Sequence, residues 1–319
     1  MISLLLASFF TLMEFNVENL FDCQHDSLKN DTEFLPDGSY HWTRSRYWNK
    51  LQKIGKEILA AAEWQNHDGT ADYVLPDLVA LCEVENDSCM RDLTRRSLLR
   101  NAGYEYVMTS SPDQRGIDVA LLYSPLSFRL YHTLSFRVKP TEGMKPTRDI
   151  LYAGGVLTSG DTVHIYVIHA PSRSGGENAT RPFRLLVASR LCEAIDSLRA
   201  ISNDPSILVA GDFNDYSGNA SMKYLVAHGL TEVSATAVGR HGAKGTYCYR
   251  GQWDSLDHIF AAGPILGRFS ECYIFDAPWL LERDEKYNGV KPRRNYVGPA
   301  YKNGYSDHLP LVATFKTDE

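Results

Sequence analysis

The sequence predicts an α/β fold in which two packed, mixed β-sheets are flanked by helices, a four-layer α/β sandwich. Short β-rich runs recur along all 319 residues, and several are almost continuously apolar, as strands covered on both faces are. Few helical stretches separate these runs, so the regular alternation of a doubly wound sheet is missing. No repeat or low-complexity linker interrupts the chain. Together these observations favour two sheets with helices outside.

The predicted strands are bounded by turn residues and carry the β-branched and aromatic residues that suit a sheet. In chain order they cover residues 9–16, 77–84, 104–110, 117–124, 162–169, 206–211, 255–260, 271–276 and 309–315. Helical periodicity predicts helices over 45–62 and 180–200 and shorter ones over 89–101 and 220–228. The polar, aromatic stretch 278–305 is predicted to be a long loop beside the functional site.

The absence of a linker favours one domain over residues 9–317. The first ten residues, "MISLLLASFF", resemble the apolar part of a signal peptide, but no Lys or Arg precedes them and they run directly into the first strand. Residues 1–8 are therefore interpreted as an N-terminal remnant or a start-site ambiguity. Localisation stays open between cytoplasmic and exported. No apolar span reaches 18 residues, so we expect no stable insertion into a membrane.

Composition and motifs argue against several function classes. The chain has 33 basic and 39 acidic residues, a formal net charge of −6, which argues against a protein held to nucleic acid by charge alone. Its six cysteines include no C-x-x-C pair, so a structural zinc site is not expected. The sequence also lacks a P-loop, an H-E-x-x-H motif and a G-x-S-x-G motif.

Polar groups collect at the boundaries of six predicted strands. They are Asn16 and Asn19, Glu83 and Glu85, His169, Asp212 and Asn214, Asp254 with Asp257 and His258, and Asp307 and His308. One such segment taken alone is most simply a turn, because Asp and Asn favour turns. Six separate segments with the same placement predict one cleft at one end of the sandwich.

The stretches "FNVENLFD", "CEVEN", "RGIDVALLY", "HAPSRS", "GDFND", "LDHIF" and "YSDHLPL" together resemble the endonuclease/exonuclease/phosphatase superfamily. Its relatives include pancreatic-type deoxyribonucleases, abasic-site endonucleases, inositol polyphosphate 5-phosphatases and neutral sphingomyelinases. The stretches occur in the family's order from residue 9 to 315, and "RRNYVGPAYKNGYSDH" resembles a bacterial subgroup whose members are uncharacterised. The resemblance implies a deoxyribonuclease-like fold and a metal-dependent phosphoester hydrolase.

The resemblance also implies the roles of individual residues. Asn16, Glu83 and Asp307 match the family's metal-binding positions, with Glu83 as the principal carboxylate. The matched catalytic residues are His169, Asp212, Asn214, Asp257 and His308. The expected cofactor is Mg²⁺, with Mn²⁺ as a substitute, because Mg²⁺ prefers a few carboxylate oxygens and keeps several waters.

These residue types suit in-line attack of water on an anionic ester. Asp212 would take a proton from the attacking water or hold it in line, and Asn214 would orient it. His308 paired with Asp257 would be a charged donor to a phosphate oxygen, and His169 would be a second donor. The sequence leaves the identity of the general base open between Asp212 and the histidines.

Basic and aromatic residues beside the motifs are candidates for substrate contact. Arg44 and Arg46 precede the first helix, Arg115 precedes "GIDVALLY", and Arg294 and Tyr296 lie in the long loop. Basic groups next to aromatic rings suit phosphate contact and base stacking. The lysines at positions 50, 53 and 56 are interpreted instead as the solvated face of a helix.

The leading hypothesis is therefore a Mg²⁺-dependent, monomeric phosphodiesterase that cleaves nucleic acid. Two alternatives stay open. The first is a phosphatase or phosphodiesterase acting on inositol phosphates, phospholipid head groups or other small phosphorylated molecules. The second, ranked low because every matched position is intact, is a non-catalytic binding protein on the same fold.

Overall fold

The computed structural model describes residues 9–65 and 71–317, so the interpretation of residues 1–8 lies outside the described residues. Within the described part, two six-stranded sheets pack face to face. Their strands, numbered along the chain, are β1 (Phe9–Leu20), β2 (Leu78–Val84), β3 (Glu105–Met108), β4 (Asp118–Tyr123), β5 (Phe128–Phe136), β6 (Ile150–Leu157), β7 (Thr162–His169), β8 (Ser206–Asp212), β9 (Thr231–Glu232), β10 (Asp257–Ala262), β11 (Phe269–Ile274) and β12 (Leu311–Lys316).

Both sheets are mixed, as predicted. The first has the order β11-β12-β1-β2-β4-β3, and the second has the order β9-β10-β8-β7-β6-β5. Strand β1 runs parallel to β2 and antiparallel to β12, while β7 runs parallel to β8. Each sheet therefore has a central parallel pair whose carboxyl ends lie at the same edge.

Helices cover the outer face of each sheet and complete the four layers. They are α1 (Arg44–Ala60), α2 (Asp87–Arg96), α3 (Glu177–Arg199), α4 (Ala220–Ala227) and α5 (Pro264–Gly267). One apolar cluster fills the space between the sheets, a second lies under α1 and α2, and a third lies under α3 and α4. Thr43 and Asn86 cap α1 and α2 by accepting from backbone N–H groups of their first turns. No helix among residues 9–65 and 71–317 is long and apolar enough to cross a membrane.

The sequence analysis missed β5 and β6. Most of β5 is exposed, so its residues do not show a buried pattern. Strand β6 contains Gly154 and Gly155, which weaken a strand signal. Gly155 is needed because the ring of Phe128 lies where a β-carbon would stand, 2.1 Å away at its nearest atom.

The prediction of a plain loop over 278–305 is also wrong. This stretch begins with a 3-10 turn (Pro278–Leu280) and contains two short hairpins, Leu281–Arg283 with Val290–Pro292 and Tyr296–Val297 with Ala300–Tyr301. The remaining short elements are the hairpins Glu63–Gln65 with Ala71–Tyr73 and Tyr247–Tyr249 with Gln252–Asp254, and the 3-10 turns Thr32–Phe34 and Leu98–Asn101.

A buried ion pair anchors the segment that follows β8. Nε of Arg184, in α3, donates to Oδ1 of Asp215 at 2.7 Å, and the two side chains are 0% and 1% exposed. Ser221 donates its hydroxyl to the second carboxylate oxygen at 2.6 Å. Asp215 therefore points away from the neighbouring Asp212 and ties this segment to the helices.

We expect Arg184→Met to lower the free energy of unfolding by about 3–5 kcal/mol, because it leaves the Asp215 carboxylate buried without a counter-charge. The measurement is urea unfolding at equilibrium. Arg190→Met is the matched control: its ion pair with Glu193 is 31% and 63% exposed, and it should cost less than about 1 kcal/mol. Equal losses in the two variants would contradict this account.

Candidate active site

The predicted site residues lie at one end of the sandwich, where strands of both sheets begin or end. Asn16 lies within β1 and Glu83 near the end of β2 in the first sheet. His169 and Asp212 end β7 and β8 of the second sheet and stand opposite each other in the register. Asp257 begins β10, and His308 precedes β12 by a few residues. Because β10 and β12 run antiparallel to their neighbours, their starts lie at the same end as the ends of the parallel strands.

One hydrogen bond joins the two halves of this site. The side-chain amide of Asn16 donates to Oδ2 of Asp212 at 3.0 Å, and both residues are 2% exposed. The same Asp212 oxygen lies 3.5 Å from Nε2 of His169, which in turn lies 4.0 Å from Oε1 of Glu83. Four predicted residues from four strands therefore form a continuous polar chain across the sheets.

A second unit lies against this chain. Nδ1 of His308 is 2.7 Å from Oδ2 of Asp257, and the hydroxyl of Thr246 donates to the same oxygen at 2.5 Å. Asp212, Asp257 and His308 each offer a ligand atom within 4.8 Å of the other two. The ring of Tyr247 packs against the imidazole with centroids 5.0 Å apart. The Asp257–His308 pair predicted from sequence therefore lies close to Asp212, with one ligand atom of each side chain within 4.8 Å of the others.

The surroundings of the two histidines shift their pKa values in opposite directions. Burial lowers the pKa of His169 well below 6.5, and the guanidinium groups of Arg148 and Arg115 lower it further. Burial also opposes the charged form of His308, but the carboxylates of Asp257 and other acidic groups outweigh it, so the pKa of His308 is raised well above 6.5. The site therefore contains one neutral and one charged imidazole.

The carboxylate of Asp212 has a pKa near neutral pH. Burial, followed by repulsion from Asp257, raises the pKa of Asp212 to about 7. The backbone N–H of Asn214 donates to Oδ1 of Asp212 at 2.8 Å and opposes that rise. The amide of Asn214 donates to the carbonyl of Ala170 at 3.1 Å, which fixes its orientation. Asp212 can therefore exchange a proton close to pH 7.

The backbone around the site adopts conformations that cost energy. Glu18, Asn19, Glu83 and Asn214 all have positive φ, between 51° and 69°. Such residues persist only where the surroundings impose them, and they concentrate at functional sites. Two of these residues are in contact, because the N–H of Asn19 donates to Oε2 of Glu83 at 2.8 Å.

Two predicted arginines lie at the Glu83 side of the site. Arg294 binds Oδ2 of Asp307 through Nη2 at 2.8 Å, and its Nε lies 3.9 Å from Glu18. Arg115 donates through Nη2 to the side-chain oxygen of Asn19. Burial opposes the charge of Arg294, but Asp307 and Glu18 raise its pKa overall. Asp307, a predicted metal ligand, thus has an arginine as its partner.

Three residues predicted to contact substrate have other surroundings in the structure. Tyr296 is 6% exposed within an aromatic cluster, and its hydroxyl donates to the carbonyl of Tyr40 at 2.9 Å, so its ring cannot stack on a base. Arg46 donates to the carbonyls of Tyr40 and His41 at 2.7 and 2.9 Å. Arg44 lines a surface cavity of about 360 Å³ with Asp22, Cys23 and Trp48, none of which belongs to the predicted site.

The sequence analysis missed four buried residues at the site. Glu18 accepts from the N–H groups of Asn295 and Tyr296 at 2.7 and 3.1 Å, and its pKa is raised to about 7 by burial and by Asp307. Thr246 supports Asp257, and Glu14 and Arg148 are also buried there. Glu18 could have been identified from the sequence, since it lies in the motif stretch "FNVENLFD". The other three carry no motif, and only their tertiary contacts identify them.

The fold and the site define the class of this protein as a deoxyribonuclease-like α/β sandwich. The chain belongs to the endonuclease/exonuclease/phosphatase family, whose model matches residues 11–317. This confirms the resemblance seen in the motifs. No curated protein matches the chain significantly.

Solved structures share the fold at low sequence identity. An endonuclease/exonuclease/phosphatase family protein from Bacteroides thetaiotaomicron superposes with a TM-score of 0.62 at 16% identity, covering 98% of each chain. The mannosyl-6-phosphatase of the same organism gives 0.61 at 17% identity, covering 95% of this chain and 98% of the other. The human Nocturnin catalytic domain, solved with a bound sulfate anion, gives 0.58 at 17% identity, covering 98% and 95%.

Gly211 sets the approach of β8 to β7 and so the position of Asp212. Its φ is 147°, and an added β-carbon would lie 1.9 Å from the carbonyl oxygen of Ile168. We expect Gly211→Ala to destabilise the fold by roughly 1–3 kcal/mol and to displace Asp212. Thermal unfolding and the rate of ester hydrolysis measure the two effects. Gly218→Ala is the control, because a β-carbon there meets nothing within 4 Å. Loss of neither stability nor rate in Gly211→Ala would contradict this assignment.

Proposed function

We propose that this protein is a divalent-cation-dependent hydrolase of phosphate esters that acts by in-line attack of water. The observation that carries the proposal is the closeness of two units: the Asn16–Asp212–His169–Glu83 chain and the Asp257–His308 pair, whose ligand atoms lie within 4.8 Å of Asp212. Phosphoester hydrolysis needs a proton acceptor, donors to the phosphoryl oxygens and a group that offsets negative charge. This end of the sandwich contains all three.

The donor set fits a hard divalent cation. Such cations take carboxylate and amide oxygens, and Glu83, Asn16 and Asp307 supply them. Repulsion among buried carboxylates, which contributes to the raised pKa of Asp212, is the condition that a cation relieves. The Asp212–Asp257–His308 group is a poorer cation site, because a charged imidazolium cannot be a ligand. A bound Mg²⁺ would polarise a phosphoryl oxygen and offset charge on the ester.

The pKa shifts support a division of work among the remaining side chains. We infer that Asp212 accepts the proton of the attacking water, since its pKa of about 7 suits a general base. Asn214 fixes the carboxylate through its backbone N–H. His308, held charged by Asp257, donates to a phosphoryl or leaving oxygen. His169, held neutral, donates from Nε2, the nitrogen that faces Asp212 and Glu83.

The substrate we propose is a small phosphorylated molecule rather than nucleic acid. The lysines of the basic tract on α1 bind the protein itself. Lys53 donates to the carbonyls of Asn303 and Gly304 at 2.6 and 2.8 Å, and Lys50 is 1% exposed and donates to the carbonyl of Tyr305. Of the four arginines predicted to contact substrate, Arg115 and Arg294 lie at the site, and two such cations suit one phosphate group better than an extended backbone.

We expect metal-dependent turnover of a small ester and a loss of at least about 100-fold in His308→Ala. The assay is a panel of sugar phosphates, inositol phosphates, sphingomyelin, plasmid and single-stranded DNA, RNA and bis(p-nitrophenyl) phosphate, each with Mg²⁺, Mn²⁺ or chelator. His132→Ala, at an exposed position on β5, is the matched control. Cleavage confined to DNA or RNA would restore the nucleic-acid hypothesis. No turnover with any metal would favour a binding protein.

The alkaline limit of activity should report His308. Its charged form is the donor, so kcat/KM falls as pH rises through its raised pKa. Asp257→Asn removes the carboxylate that does most to raise this pKa, so the alkaline limb should move to lower pH. Thr246→Val, which removes a hydrogen bond but keeps the carboxylate, should leave the limb near its wild-type position. An unmoved limb in Asp257→Asn would exclude His308 as the acid.

A further inference from the structure

A buried arginine that no catalytic step uses lies beside the site. Arg148 is 8% exposed and lies two residues before β6, the strand next to the edge strand β5 of the second sheet. Its guanidinium donates to the carbonyl of His169 through Nε at 3.2 Å and to the carbonyl of Ala170 through Nη2 at 2.8 Å. Nη1 pairs with Oδ1 of Asp113 at 3.3 Å. Its donors are thus directed to the protein rather than to a substrate.

On the side of the second sheet, Arg148 binds the carbonyl groups at the end of β7, which is hydrogen-bonded to the end of β8. The N–H of Ala170 donates to the carbonyl of Asp212 at 2.8 Å. The carbonyl of Ala170 accepts from both Arg148 and the side chain of Asn214. One guanidinium therefore contacts the backbone of His169 directly and Asn214 through a shared acceptor.

On the side of the first sheet, Asp113 connects Arg148 to Glu83. Asp113 lies in the loop between β3 and β4, and its Oδ2 accepts from the N–H groups of Arg115 and Gly116 at 3.0 and 3.2 Å. Arg115 then donates to Asn19, whose N–H donates to Glu83. The contacts run without a break from the second sheet to the carboxylate proposed to hold the cation.

We propose that the Arg148–Asp113 pair is a brace between the sheets that sets the spacing of the Glu83 half of the site against the His169 and Asn214 half. Arg148 is then a positioning residue, since it acts through the backbone of other residues. The inference rests on the proposed function for its catalytic consequence only. Such a brace matters for the reaction, because reacting groups misplaced by about 1 Å can lower a rate about 100-fold.

The test compares Arg148→Met, Asp113→Asn and the double variant with Lys145→Met. Lys145 is the matched control, because it is an exposed cation three residues before Arg148 in the same loop. Amide hydrogen exchange of the segments 113–117 and 168–171 reports the brace without any substrate. Turnover of bis(p-nitrophenyl) phosphate with Mn²⁺ reports its effect on the reaction.

We expect Arg148→Met to speed exchange in both segments and to lower kcat about 100-fold, with KM changed less than about twofold. Asp113→Asn should act in the same way, because it keeps an acceptor for the turn but loses the charge. If the pair acts as a unit, the double variant costs no more than one single variant. Lys145→Met should change neither exchange nor turnover.

Four outcomes would overturn the brace: faster exchange in only one of the two segments, additive losses of kcat, a rise in KM alone, or the same effects in Lys145→Met. If Arg148→Met does not fold, Arg148→Lys replaces it. A lysine keeps the charge opposite Asp113 but lacks the planar fork that reaches three acceptors, so both segments should still exchange faster. If the wild type hydrolyses no ester, the proposed function fails, while hydrogen exchange still decides the brace.

Discussion

The packing of one sheet on the other determines the site. Alternate residues of β1 face the second sheet: Phe10 and Leu12 lie in the inter-sheet core, whereas Met13 and Phe15 face the helices. Because the alternation has a period of two, it places Asn16 on the inner face, where the apolar interior meets the polar end. Asp212 stands opposite at 3.0 Å. A shift of either strand by one residue would separate the two halves.

Burial supplies much of the chemistry that the side chains need. Burial in the low-dielectric interior keeps His169 neutral and raises the pKa of Asp212 to about 7. Burial also disfavours the charged form of His308, but Asp257 keeps that imidazole charged. Pairs of titratable groups whose pKa values are pushed apart are typical of acid–base sites. Two imidazoles in one site thus acquire different charges because their surroundings differ.

Sequence reasoning identified the strand ends and the motif residues, because both are local features. Strands covered on both faces are visible as apolar runs, and an Asp or His at their ends stands out. Strand β5 was missed because its residues are mostly exposed, and β6 because of its paired glycines. For Tyr296 and Arg46, residue type shows what the side chain can bind, not what it already binds in the folded chain. Arg148 carried no signal, since its partners are brought together only by the packed sheets.

The central claim is that residues from both sheets hold one cation and one phosphate group. Anomalous diffraction from crystals soaked with Mn²⁺ and inorganic phosphate tests it most directly. The account predicts a manganese peak at Glu83 and Asn16, with phosphate between His169 and His308. A peak at the Asp212, Asp257 and His308 side chains instead, or no peak at this end of the sandwich, would contradict it.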